Sequence, residues 1–338
     1  MSVSRRMFLS GAGAAAAAVL CACGSHGGGE PSDANGPTDN TKLTFCLDYT
    51  PNTNHTGIYV AQDQGYFADE GLEVQIVQPA EDTAEAMIGT GKAQLGVSYQ
   101  DYIANALVAG NTGIEAVAAI LQHNTSGIMS AAELGITHPA AMEDHTYATW
   151  DLPVEQATIR HIIEKDGGDF DKVKLVPYTV DDEVSGIKAK MFDTVWVYEG
   201  WAVQNAAVQN VAVNYFSFIS IDEVFDYYTP VIAANTDYAK KSPDTVKAFL
   251  RAAKKGYEFA IAQPEKAGEI LCAAVPELDA ALVTQSQTYL SKQYQADAAS
   301  WGVIDKDRWA RFYTWLNDNK LVAKPLDVNA GWTMDYLA

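Results

Sequence analysis

Three short segments of the chain carry residue types that could hold a flat, nitrogen-rich ring. Leu47-Asp48-Tyr49-Thr50-Pro51-Asn52-Thr53-Asn54-His55-Thr56-Gly57 sets an aromatic face among amides and a carboxylate. Thr149-Trp150-Asp151-Leu152-Pro153 and Trp196-Val197-Tyr198-Glu199-Gly200-Trp201 repeat the combination. Aromatic faces sandwich a planar ligand, while Asp, Glu and Asn pair with its amino groups and ring nitrogens. Each residue also has a structural alternative. Asn52 or Asn54 could cap a helix, and Trp196, with apolar strand neighbours, could be core. Glu199 between two aromatics needs a partner for its charge. Asp226-Tyr227-Tyr228-Thr229-Pro230 reads as a crossover turn suited to a hinge at a cleft.

Signatures of catalysis are weak by comparison. Gly89-Thr90-Gly91-Lys92 hints at a phosphate loop but ends a helix instead of opening one, and lacks the Walker spacing. A glycine C-cap followed by a surface lysine explains it better. His161-x-x-Glu164 is not a zinc-protease motif, and the other histidines are scattered. No G-x-S-x-G elbow is present. No catalytic residue, metal ligand set or cofactor is assigned.

The elements that must position the loops follow from hydrophobic periodicity. Leu43, Phe45 and Leu47 alternate along a first strand, a helix runs to about Gly65, and Val74 to Val77 is a second strand. Asp82 and Glu85 form a capping pair for a helix with the stripe Ala84, Met87 and Ile88. Leu95–Ser98 and Ile114–Leu121 are strands flanking a helix over Tyr99–Ala109. A second cycle begins near Gly127. It has strands at Tyr147–Trp150, Lys172–Val176, Thr194–Val197 and Val211–Tyr215, and a helix from Pro153 to Gly167. One more strand ends at Ala234. Helices alone follow, the first capped at Ser242-Pro243 with the core face Val246, Phe249, Leu250, Ala253 and Tyr257. The rhythm predicts α/β architecture with mainly parallel, doubly wound sheets in two lobes around a cleft. Ligands of such sheets bind at the carboxyl ends of strands, where all three segments fall.

The N-terminus places this body. Arg5-Arg6 precede an apolar stretch, Phe8 to Leu20, too short to span a bilayer. Ser4-Arg5-Arg6-x-Phe8-Leu9 resembles a twin-arginine export signal, and Leu20-x-Ala22-Cys23 resembles a bacterial lipobox with Cys23 as the lipidated residue. Residues 1–23 are therefore read as signal and anchor, and the Gly-, Ser-, Asp- and Pro-rich residues 24–41 as a flexible tether. The location expected is extracytoplasmic, lipid-anchored to the cell membrane. A net charge of −20 disfavours nucleic acid and anionic lipid as partners. Only Cys46 and Cys272 remain in the body, and two free thiols are expected from a protein exported already folded.

The ordered set of segments resembles a known family. Leu47 to Gly57, Tyr59-Val-Ala-Gln62, Gly65-Tyr-Phe67, Glu70-Gly-Leu72, Gly91-Lys-Ala-Gln-Leu-Gly96, Glu164-Lys-Asp-Gly-Gly-Asp-Phe170, Asp226-Tyr-Tyr-Thr-Pro230 and Tyr294-Gln-Ala-Asp297 carry it, across nearly all of the body. They are similar to the pyrimidine-precursor branch of periplasmic-type binding proteins. Those are substrate-binding lipoproteins of ABC importers, and the best-known branch binds N-formyl-4-amino-5-aminomethyl-2-methylpyrimidine, a thiamine-salvage intermediate. The resemblance implies a type II bilobal fold, with lobe 1 over 42–127 and 225–338 and lobe 2 over 128–224. It implies an aminopyrimidine ligand, and a permease with its ATPase as partners. Together with loop position it points to Tyr49, Trp150, Trp196 and Tyr198 as ring contacts and Glu199 as partner of the amino edge. Asn52, Asn54, His55 and Asp226 would be polar contributors. Riboflavin, a sulfonate or another small ring compound is the alternative cargo.

The same superfamily contains a fungal-type thiamine pyrimidine synthase that consumes its own histidine and pyridoxal phosphate. The synthase has a cysteine-rich segment before the crossover strand, where this chain has Val224-Phe-Asp-Tyr-Tyr-Thr-Pro230. Residues Ser98 to Tyr102, at the position of the sacrificial histidine, include none. Lys92 alone matches. The resemblance therefore implies a binding protein in preference to an enzyme.

Overall fold

A computed structural model describes residues 41–79, 83–110, 113–180 and 182–337. The expected signal with Cys23, nearly all of the expected tether and the expected capping residue Asp82 lie outside the described residues. Four strands come first: β1 (Thr41–Cys46), β2 (Leu72–Val77), β3 (Leu95–Ser98) and β4 (Ile114–Ala119). The chain then crosses to build β5 (Ser126–Ala131), β6 (Thr146–Thr149), β7 (Lys174–Pro177), β8 (Thr194–Tyr198) and β9 (Val213–Ser217). It returns for β10 (Val231–Asn235), and helices alone follow. The result is two five-stranded sheets, in the orders β2-β1-β3-β10-β4 and β7-β6-β8-β5-β9, one per lobe.

The sheets are mixed. β1 runs parallel to β2 and β3, whereas β10 is antiparallel to both β3 and β4. In the second sheet β6 is parallel to β7 and β8, whereas β5 is antiparallel to β8 and β9. In each lobe the antiparallel strand is the one by which the chain enters from the other lobe. A parallel neighbour needs a returning crossover element, and a strand arriving directly has none. Burial follows position. β2, at an edge, alternates buried Leu72 and Val74 with exposed Glu73 and Gln75, while central β3 and β10 are buried at every residue.

Two details of helix capping differ from the sequence reading. Thr83 caps the helix Ala84–Gly89 by accepting from the Ala86 N–H at 3.2 Å. Glu85 instead accepts a hydrogen bond from Ser98 Oγ at 2.8 Å, because it faces the end of β3. Ser242 stands at the N-cap of the helix Pro243–Ala262, but its side chain makes no capping bond there. That helix does bury Val246, Phe249, Leu250, Ala253 and Tyr257, the face its periodicity predicts. It presses on the helix Thr56–Asp63 so closely that a Cβ on Gly256 would lie 1.9 Å from the Gly57 carbonyl oxygen. The glycine pair lets the two backbones touch behind the first loop.

A column of rings joins the lobes. Trp196 on β8 meets Phe218 at 4.3 Å between centroids, Phe225 meets Trp315 at 5.2 Å, and Tyr227 stacks on Phe312 at 4.0 Å. Phe218 with Phe225 and Phe312 with Trp315 close the gaps. Cys46 is fully buried and Cys272 half-buried, and both are free. Among the described residues no helix is long and apolar enough to cross a membrane.

Candidate functional site

A cavity of about 420 Å³ opens between the lobes at the carboxyl ends of β1, β3, β7 and β8. Asp48, Tyr49, Thr50, Asn52, Thr53, Asn54 and Tyr99 line it from lobe 1. Tyr178, Val180, Glu183, Tyr198, Gly200 and Trp201 face them from lobe 2, and Thr125 and Pro230 come from the two crossovers. Leu290 closes one end. No lysine, arginine or histidine is among these residues.

The lobe 1 wall is a capped loop. Asn52 Oδ1 accepts from the Asn54 N–H at 2.9 Å, and the Asn52 N–H donates to His55 Nδ1 at 3.1 Å. That second bond makes Nδ1 an acceptor, so the imidazole proton sits on Nε2, which donates to Asp48 Oδ1 at 2.6 Å. The Tyr99 hydroxyl donates to the other oxygen, Oδ2. Burial alone would push the Asp48 carboxyl up. Its contacts with His55 and Tyr99 outweigh burial and hold it below the usual range. The loop thus presents an ionised, fully hydrogen-bonded carboxylate beside an aromatic ring, Tyr49, that is 68 % exposed.

Another buried carboxylate organises lobe 2. Glu155 accepts from Tyr147 Oη at 2.7 Å, Thr149 Oγ1 at 3.0 Å, and the N–H groups of Trp150 and Leu152 at 3.1 and 3.2 Å. These four bonds hold the turn at residues 149–152, where Asp151 takes a left-handed φ of 60°. Trp150 is thereby placed against Tyr178 and Trp196, at 5.7 and 5.9 Å between ring centroids. Tyr178 reaches the cavity and donates its hydroxyl to Glu183 Oε1 at 3.0 Å. Burial, with a lesser push from Asp182, raises the Glu183 carboxyl above its ordinary value.

After β8 the chain makes one π-helical turn, Glu199–Val203, a rare geometry that turns Gly200 and Trp201 to the cavity. A Cβ on Gly200 would lie 2.8 Å from Leu290, so glycine is what lets the helix Ala280–Leu290 close this end. That helix holds both lobes. Ser286 Oγ lies 2.5 Å from Thr53 Oγ1 and donates to the Gly200 carbonyl, and Tyr289 Oη donates to Glu199 at 2.8 Å.

Four residues singled out in the sequence, Tyr49, Asn52, Asn54 and Tyr198, line the cavity. The other five stand elsewhere. His55 is behind Asp48, and Trp150 and Trp196 back the Tyr178 wall, Trp196 with 5 % exposure. Glu199 pairs outward with Tyr289. Asp226 binds His123 Nδ1 at 2.8 Å and the Asn124 N–H at 3.1 Å, pinning the two crossovers together. Tyr99 and Tyr178 were legible by the strand-end rule, since each directly follows a strand. Asp48 lies in the first of the three ring-binding segments. Glu183, at the start of a short helix, gave no signal. Lys92 lies in the turn before β3 and is not among the lining residues.

The model of the NMT1/THI5-like family matches residues 52–267, well over half of the chain. The chain belongs to the NMT1/THI5-like family. A formylaminopyrimidine-binding protein of Halalkalibacterium halodurans is 27% identical over 289 residues, covering 84% of this chain and 87% of that protein. The 4-amino-5-hydroxymethyl-2-methylpyrimidine phosphate synthase THI11 of Saccharomyces cerevisiae is 23% identical over 309 residues, 88% of each. This NMT1/THI5-like chain has the periplasmic-binding-protein fold. The aliphatic sulphonate binding protein SsuA from Escherichia coli superposes with a TM-score of 0.68 at 15% identity, over 86% of this chain and 97% of that one.

Proposed function

We propose that this protein is the extracytoplasmic substrate-binding component of an ABC importer, anchored through Cys23, and that it captures a thiamine pyrimidine precursor for delivery to a permease. Residues 42–127 with 225–338 would move as one lobe and 128–224 as the other, closing on the ligand. The observation that carries this reading is the cavity itself. Aromatic side chains on both lobes suit a flat ring, and a carboxylate on each lobe with no basic residue suits a ligand rich in N–H donors. The similarity to a formylaminopyrimidine-binding protein over most of both chains supports the same ligand class.

The same charge pattern disfavours the anionic alternatives. A sulfonate, or the phosphate of pyridoxal phosphate, would bring an anion against Asp48 and Glu183. The synthase reading, kept alive by relatives such as the yeast enzyme, also needs a lysine at the cofactor, and Lys92 is away from the cavity lining. A melting series separates these readings. At a hundredfold excess over its dissociation constant, N-formyl-4-amino-5-aminomethyl-2-methylpyrimidine should stabilise the protein by about 2.7 kcal/mol. Riboflavin and alkanesulfonates should leave the melting temperature unchanged. A shift with a sulfonate and none with any aminopyrimidine would sink the assignment, and pyridoxal absorbance retained after desalting would favour the enzyme.

A further inference from the structure

The two carboxylates of the cavity are not equivalent. Both oxygens of Asp48 are occupied by protein donors, His55 Nε2 and Tyr99 Oη. Glu183 accepts from the Tyr178 hydroxyl and is also held by its own backbone N–H, and the charge that acts on it, Asp182, has the same sign. Among the described residues it makes no ion pair with a lysine, arginine or histidine. A half-buried carboxylate facing a cavity without a counter-charge is costly in the empty protein. That cost is relieved when a ligand supplies the cation.

Resting on the proposed function above, we propose that Glu183 determines specificity within the pyrimidine-precursor class by receiving a protonated amine of the ligand. The preferred ligand is then the free aminomethyl pyrimidine, not its formamide. The aminomethyl group is a benzylic-type amine, less basic than a lysine amine but still largely protonated near neutral pH, whereas the formamide is neutral. An ammonium at Glu183 makes a charge-assisted hydrogen bond next to the Tyr178 hydroxyl that already holds this carboxylate. The 4-amino edge of the pyrimidine remains for the lobe 1 wall, so the two lobes read the two ends of one molecule.

Calorimetric titration of the mature chain at pH 7.5 with three ligands tests this: the 5-aminomethyl pyrimidine, its N-formyl derivative and the 5-hydroxymethyl analogue. The aminomethyl compound should bind about tenfold to a hundredfold more tightly than either neutral one. Glu183→Gln should cut that preference below about threefold, and Glu183→Asp should restore part of it. A measurement on the unaltered protein guards against a variant that does not fold. Because burial raises the Glu183 carboxyl, lowering the pH should erode the preference, while Tyr178, whose hydroxyl burial pushes up, stays neutral. Equal affinity for amine and formamide, or a preference unmoved by Glu183→Gln and by pH, overturns the proposal. If none of the three pyrimidines binds, the functional assignment itself fails, and this inference fails with it.

Discussion

The two walls of the cleft are built on opposite plans. In lobe 1 the carboxylate at the cavity, Asp48, is also the organiser of its loop, tied to His55 and Tyr99. In lobe 2 those duties are divided: Glu155 holds the turn from behind, and Glu183 faces the cavity with one tyrosine. A group that organises its own loop is preorganised but has little capacity left, so affinity there comes from shape and ring stacking. A group relieved of structural duty is available to a ligand. Lobe 1 therefore supplies a fixed platform, and lobe 2 supplies the discriminating contact.

The largest effect should come from disturbing what stands behind the platform. Gly256→Ala sets a methyl group against the Gly57 carbonyl and must push apart the helices Thr56–Asp63 and Pro243–Ala262. We expect a loss of about 3 kcal/mol or more in urea unfolding. Normal stability would mean that the glycine contact does not fix the first loop. Next is Asp48→Asn, which forces an amide NH₂ against either Tyr99 or His55. A loss of about 1–3 kcal/mol is expected, together with a fall in ligand affinity. A stability loss without any change in affinity would show that lobe 1 is no platform, and would break the comparison.

The smallest effect concerns the two crossovers that join the walls. His123 Nδ1 lies 2.8 Å from Asp226 and its Nε2 2.9 Å from Asp297, so both nitrogens donate only when the ring is protonated. The hydrogen bond with Asp226, opposed by burial, raises its pKa above the ordinary 6.5. A raised histidine contributes stability that is fully present below the unfolded value and is lost as pH rises through the folded one. Stability should therefore decline modestly just above pH 6.5, and His123→Gln should flatten that slope. Because His123 is partly exposed, salt should weaken the effect. A slope that persists in His123→Gln would place its origin elsewhere.

Much of the architecture was legible because it rests on local chemistry. Alternation in β1, the cap chemistry of the loop at Asn52 and the apolar face of Pro243–Ala262 are written in neighbouring residues. The strand-end rule found the loop carrying Tyr49, Asn52 and Asn54. What escaped depends on partners distant in sequence. Trp196 joins the ring column only because Phe218 and Trp150 meet it, and Glu199 is drawn outward by Tyr289, ninety residues away. Glu183 carries no local signature at all. Its surroundings are set by how the two lobes approach.

The buried thiol of Cys46 has a chemical consequence of its own. Burial, reinforced by the negative charges of Glu85 and Asp48, pushes it up to about 11. At pH 7 only about one molecule in ten thousand then carries a thiolate, the form that attacks disulfides and is captured by oxidants. A reduced cysteine in β1 is therefore kinetically quiet even where no reductant is at hand. The sheet that carries the binding loop needs neither a disulfide partner nor a reducing compartment to keep its chemistry unchanged.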